Sequence, residues 1–195
     1  MRGPLAHIKS RSYFVEMYQI ILDKEDFLRF QLFTASKSKR IRKKRIISWI
    51  LMTSSFLCLG LVLLDNADKF LAYYFMTLSI ICLFFYPFYT KWRYKKHYQK
   101  HIEENYKNKI GLLWEISFDQ EYLTTKDRTG EGKIKLTEIE SIHEIKEDMF
   151  IKFSTGETLI IPARNPDFES FRKELETTLA DSRIQWNKEY KWRWK

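Results

Sequence analysis

The chain has 195 residues, with 34 Lys and Arg against 25 Asp and Glu, a net charge of +9 and two cysteines. Two cysteines cannot build the disulfide framework of a small secreted domain. The charge does not describe a nucleic-acid surface either: seven basic residues crowd into 37–45 and five into 91–100, and the remaining 22 are outnumbered by the 25 acids. The mean hydropathy of −0.41 reflects a polar majority that masks two strongly apolar segments.

Residues 1–12, with Gly3 and Pro4, read as a loose start. No continuous apolar stretch with a small-residue cleavage site occurs in the first twenty residues, so no removable signal is expected there. Tyr13 to Ile21 is rich in β-forming residues and predicts a strand. Asp23 then has the position of a helix N-cap, with Glu25 in the first turn and Asp26 three residues on. Phe27, Leu28, Phe30, Leu32 and Phe33 follow as packing residues. No Gly or Pro interrupts Lys24 to Phe56, which predicts one continuous helix running into the next segment.

Ile46 to Leu64 and Phe70 to Tyr89 contain no charged residue over 19 and 20 positions. A hydrocarbon core of roughly 30 Å needs about 20 apolar residues at about 1.5 Å each. Both segments predict transmembrane helices, and the first could serve as its own targeting signal. Before them lies Lys37-Ser38-Lys39-Arg40-Ile41-Arg42-Lys43-Lys44-Arg45; after them come Lys91, Arg93, Lys95, Lys96 and Lys100. The connector Asp65-Asn66-Ala67-Asp68-Lys69 holds one basic residue. Because the Lys/Arg excess marks the cytoplasmic side, both ends of the chain are expected in the cytoplasm and the connector outside. Trp49 and Trp92 fall where amphipathic rings favour the cytoplasmic interface. The residues expected to contact lipid are therefore Lys39, Arg40, Arg42, Lys43, Lys44, Arg45, Trp49, Lys91, Trp92, Arg93, Lys95 and Lys96. Cys58 and Cys82 fall inside the spans and read as free thiols in helix packing. The spans carry no ionisable residue to mark a transport path.

Pro87 near the end of the second span predicts a kink, and Lys91–Lys109 a cytoplasmic stalk helix. Tyr94, Tyr98, Ile102 and Tyr106 recur every four residues and form a stripe able to pack on the helix that precedes the first span. His97 and His101 have metal-ligand spacing, with Glu104 nearby, but no third histidine or usable cysteine accompanies them, and no metal site is assigned.

From Leu112 the pattern changes to period two. Leu112–Phe118, Glu121–Lys126, Lys133–Leu136, Ile139–Ile145, Met149–Ser154 and Glu157–Ile161 predict six short strands in an antiparallel meander. Tyr13–Ile21 could add a seventh. Asp167 is a candidate cap for a helix carrying Phe168, Phe171, Leu175 and Leu179 on one face. The whole predicts a strongly bent sheet or barrel closed by that helix. A Trp- and Lys-rich segment follows, with Trp186, Tyr190, Trp192 and Trp194, suited to a bilayer interface, to a frayed tail or to a strand extension.

The order of these features resembles the YcxB-like family of bacterial membrane proteins. The resemblance rests on Asp23-Lys24-Glu25-Asp26-Phe27, the Lys/Arg run, the two spans, Met149-Phe150-Ile151-Lys152-Phe153, Leu159-Ile160-Ile161-Pro162-Ala163-Arg164, and Phe168 to Leu175. Leu136 and Thr137 stand where that family commonly has a Trp. The resemblance implies a pleckstrin-homology-like (PH-like) domain after the spans and a place in the bacterial cell membrane; it implies no catalytic residue.

The expected fold is thus an α+β membrane protein. Residues 1–45 form a strand, a helix and the basic run. Residues 46–89 form the hairpin, 90–110 a stalk, 111–182 the PH-like β domain, and 183–195 the Trp/Lys-rich segment. No Gly-rich phosphate loop, GxSxG, HExxH or usable Cys/His pair occurs, so no enzyme activity, catalytic residue, cofactor or small-molecule substrate is expected. Within 112–180, nine basic residues face fifteen acids, a net −6. Such a domain is poorly suited to anionic headgroups, and Lys126, Arg128, Lys133 and Lys135 are its one local cationic cluster. The expected partners are membrane lipids and either a protein or a second copy, with no nucleic acid. The expected role is an anchored, non-enzymatic interaction module. The alternatives are an anionic-lipid sensor working through the basic runs and a membrane immunity-type protein.

Overall fold

The computed structural model describes residues 17–65, 69–119, 121–180 and 182–194. The first four residues of the expected opening strand and the middle of the connector, 66–68, lie outside the described residues.

The chain enters as β1 (Tyr18–Ile21), in which Tyr18 and Ile20 are buried and Gln19 and Ile21 exposed. A reciprocal capping box then starts α1 (Lys24–Lys37): Asp26 N donates to Asp23 Oδ1 at 3.0 Å and Asp23 N to Asp26 Oδ2 at 2.7 Å. The predicted continuity into the first span fails at Ser38. Its extended backbone (ψ 110°) ends α1, and its hydroxyl accepts from Ile41 N to start α2 (Lys39–Leu64). The reason is positional. Phe27, Leu28, Leu32, Phe33 and Ala35 of α1 are buried, whereas α2 presents its apolar side chains outward. One straight helix could not do both, and a run of like charges is an inexpensive place to break.

The second span and the stalk are one helix, α3 (Lys69–Asn105), with Pro87 in its interior. There is no boundary at 90, and the helix stops four residues before Lys109. Both α2 and α3 are long and apolar enough to cross a membrane. Only 6% and 11% of their most apolar 18-residue windows are buried, with mean hydropathies of 2.2 and 1.7. That exposure separates them from core helices of a water-soluble domain, and side chains such as Phe70 and Phe88 are 82% and 72% exposed. Where the two helices meet they use small residues. Gly60, Ala72 and Ser79 are buried, and Ser79 Oγ donates to Thr53 O at 3.0 Å.

The tyrosine stripe of α3 turns toward α1. Ile102 is fully buried, the Tyr106 ring lies 4.9 Å from Phe27, and Gln31 donates to the Tyr106 hydroxyl.

Six further strands follow: β2 (Leu113–Phe118), β3 (Tyr122–Lys126), β4 (Glu131–Lys135), β5 (Ile139–Glu144), β6 (Asp148–Phe153) and β7 (Thr158–Pro162). They do not form a single meander. A 3₁₀ turn at Leu136–Glu138 carries the chain from one sheet to another. One sheet has the order β1-β2-β3-β4, all antiparallel. The other has the order β7-β6-β5-β8, in which β8 (Gln185–Lys188) lies parallel to β5. The head therefore takes its first strand from before the hairpin and its last from the Trp/Lys-rich segment, so the boundaries expected at 111 and 182 do not delimit it.

Helix α4 (Phe168–Thr178) buries Phe168, Phe171 and Leu175. The Phe171 ring meets Tyr18 and Phe118 edge-on at 5.2 and 5.5 Å, closing one end of the sheet pair. Asp167 occupies the N-cap position without a side-chain bond. Asn165 Oδ1 accepts from Asp167 N instead, and the Asn165 amide donates to Gln19 O, covering the outer edge of β1.

Candidate functional site

The end of the head away from Phe171 is open. A groove of about 740 Å³ lies there between the β3–β4 hairpin and the segment Phe153–Ile160. Ile20, Trp114 and Ile116 line it from the first sheet, and Phe27 and Phe30 from α1. The strand orders leave β4 and β7 with one unpaired edge each.

The rim is shaped by local chemistry. Asp127 accepts from Thr129 N and Oγ1 and from Gly130 N at 2.6–3.0 Å, which pins the hairpin loop and holds the Asp127 carboxyl below its ordinary range. Gly132 sits where a Cβ would come within 3.1 Å of Thr125 Oγ1. Lys133 stacks over the Tyr122 ring at 4.3 Å, so one of the four hairpin cations is already engaged. In the wall, the indole Nε1 of Trp114 is buried and has no hydrogen-bond partner. A buried donor left in that state costs roughly 1–3 kcal/mol.

Buried ions lock α1 onto the head. Asp26 and Asp148 are fully buried. Arg29 bridges them, and Arg164 forms a second, two-pronged pair with Asp26 while reaching Asp23 at 3.2 Å. Burial pushes the Asp148 carboxyl up to about 6 against the pull of Arg29.

On the opposite face Glu144, 3% exposed, gathers the last described segment. Trp186 Nε1 and the Tyr190 hydroxyl donate to it at 3.1 and 2.8 Å, and Arg172 lies within 3.2 Å. Beyond Tyr190 the segment crosses to the helices. Trp192 packs on Phe33 and donates to Ser36 Oγ at 3.0 Å, and Trp194 donates to Lys91 O at 3.3 Å. Of the three arrangements open to this segment, the structure contains a strand extension for 185–188, with protein contacts for Trp192 and Trp194.

The twelve residues expected at the lipid surface separate into groups. Lys39, Arg40, Arg42, Lys43, Lys91, Lys95 and Lys96 are exposed around α2 and α3. Trp92 is exposed beneath the Lys96 ammonium. Trp49 donates to Leu83 O across the hairpin. Lys44 and Arg93, also exposed, and the half-buried Arg45 line one small cavity with His97. Both cysteines are free. Among the described residues no three His, Cys, Asp or Glu side chains come together as a metal site; His101 bonds Asn105 instead.

The molecule is thus a mixed α+β protein with antiparallel and mixed sheets and two helices apolar enough to span a bilayer. Compared with models of protein families, with curated proteins and with solved structures, the chain matches none.

Proposed function

We propose that this chain is a non-enzymatic interaction module anchored in the cell membrane by α2 and α3. Its head is PH-like and lies on the cytoplasmic face, where the groove between β4 and β7 receives an extended segment of a partner protein. The exposed apolar surfaces of both helices support the anchoring, and the basic runs at one end of the hairpin support the orientation. Eight strands in two four-stranded sheets with a closing helix support the PH-like reading, and the order of features supports kinship with the YcxB-like family.

The observation that carries the docking role is the groove itself. It combines an apolar wall, to which the Trp114 ring contributes, with two unpaired strand edges able to extend a sheet. Confinement of the head to the membrane surface raises its effective concentration toward partners held there.

The test is photo-crosslinking in native membranes with a photoreactive residue at Thr158, inside the groove, and at Glu140, on an exposed face of β5. Adducts formed from 158 and absent from 140 are expected, and their mass distinguishes another protein from a second copy. Equal yields from both positions, or none from either, defeat the docking role.

A further inference from the structure

The groove accounts for the head but leaves the second cavity without a role. That cavity, of about 280 Å³, lies between α2 and α3 at the basic end of the hairpin. Lys44, Arg45, Arg93 and His97 line it together with the hydroxyl-bearing Ser48 and Tyr86, and no acidic residue does among the described residues. Ser48 is in the first turn of the first apolar segment and Tyr86 in the last turn of the second. The cavity is therefore at the depth where hydrocarbon gives way to headgroups in a bilayer that contains α2 and α3.

We infer that this cavity binds the phosphate of an anionic phospholipid headgroup. The inference rests on the reading of α2 and α3 as bilayer-embedded. Lys44, Arg45 and Arg93 bring positive charge to one small cavity, and attraction for an anion there grows as neighbouring lipid lowers the local dielectric. The surrounding hydroxyl groups can donate to the oxygens of that anion. Basic pockets between spanning helices on the cytoplasmic side are suited to anionic headgroups.

Arg45 separates this site from the diffuse basic collar around it: Lys44 and Arg93 are exposed like the collar residues, whereas Arg45 is half-buried. Arg45 is held in place: its guanidinium lies 5.1 Å from the Trp194 ring and 5.7 Å from that of Tyr94. Trp194 is in turn fixed by its bond to Lys91 O. A residue from the far end of the described chain thus serves as a positioning residue for a cation of the cavity, so that docking of the head and filling of the cavity act on the same arginine.

The experiment is native mass spectrometry of the full chain in detergent, titrated with short-chain phosphatidylglycerol, phosphatidylcholine or inorganic phosphate. One phosphatidylglycerol is expected to be retained in preference to phosphatidylcholine. The pair Arg45→Gln/Arg93→Gln should weaken it at least about tenfold, while Lys39→Gln/Lys43→Gln, which removes the same charge outside the cavity, should change it less than about twofold. Trp194→Ala removes no charge and is also expected to weaken retention. Thermal unfolding of each variant checks that it is folded. Equal loss from both charge pairs, no response to Trp194→Ala, or equal competition by inorganic phosphate would overturn the lipid site. Any of these results in a protein that still requires detergent overturns the site alone. A protein that stays monodisperse after detergent removal overturns the anchoring beneath it.

Discussion

The indole N–H of Trp49 donates to the main-chain carbonyl of Leu83, 3.2 Å away on the neighbouring helix. Leu83 is four residues before Pro87, so its carbonyl is the one that the proline, having no N–H, leaves without a helical donor. A side chain of α2 thus repairs a gap in α3. Trp49→Phe should destabilise the hairpin by about 1 kcal/mol. In a Pro87→Ala background, where residue 87 regains its N–H, the same substitution should cost much less. Unfolding in mixed micelles of the four proteins of this cycle measures the coupling, and strict additivity would disprove the repair.

Close approach of the spans is centred on Gly60. A Cβ there would lie 2.7 Å from Met76 Cγ and 3.2 Å from Ala72 O. Gly60→Ala should lower hairpin stability by about 1–2 kcal/mol despite alanine's better helix propensity. Adding Met76→Ala removes the nearer obstacle and should return part of the loss. A stabilising Gly60→Ala in the same micelle assay would contradict the packing.

Asp148 sets an unusual pH dependence. Its folded pKa, raised to about 6 from 3.8 by burial, means that the native state keeps a proton the unfolded chain has already lost. Between those values the native state binds more protons, so this group's contribution to stability falls as pH rises and is constant above about 6. Denaturation of the wild type and of Asp148→Asn from pH 4 to 7 should show the difference moving in favour of the variant, by up to about 3 kcal/mol. A flat difference, or one moving the other way, would mean that Arg29 keeps the carboxylate ionised throughout.

Trp192 joins the last described segment to α1. Trp192→Ala removes its edge contact with Phe33 and its bond to Ser36 and should cost about 2–3 kcal/mol. Trp192→Phe keeps a ring on Phe33 and should cost about 1 kcal/mol. Limited proteolysis should cut the alanine variant faster within 182–194. Equal resistance of all three proteins would show that the contact does not hold the segment.

What was legible in the sequence was what each segment determines by itself. The apolar helices announce themselves because a charge-free run of that length has few other uses. The Asp23 cap is a local exchange between residues three apart. The six strands of the head follow from alternation and turns. What escaped depends on partners distant in the chain. Ser38 breaks a sequence of good helix formers because α1 has to pack on strands made from residues beyond 112. α3 passes through Pro87 with a hydrogen bond from Trp49 at hand. β8, with the sequence Gln-Trp-Asn-Lys, has no apolar alternation, and its place beside β5 depends on Glu144 receiving Trp186 and Tyr190. The small cavity needed the relative rotation of two helices: Lys44, Arg45 and Arg93 were all named as lipid contacts, but nothing local separates them from Lys43 or Lys95.

The pairing of β1 with β2 has a consequence for how the molecule is made. On the ribosome, Tyr18–Ile21 emerges early and finds no sheet to join; its partner Leu113–Phe118 is translated only after both long apolar helices. Both helices are therefore synthesised before the head can be completed, and the early strand spends that interval with an open edge. A nascent chain stalled before Leu113 should present Tyr18 and Ile20 to chaperones, whereas the finished protein buries both.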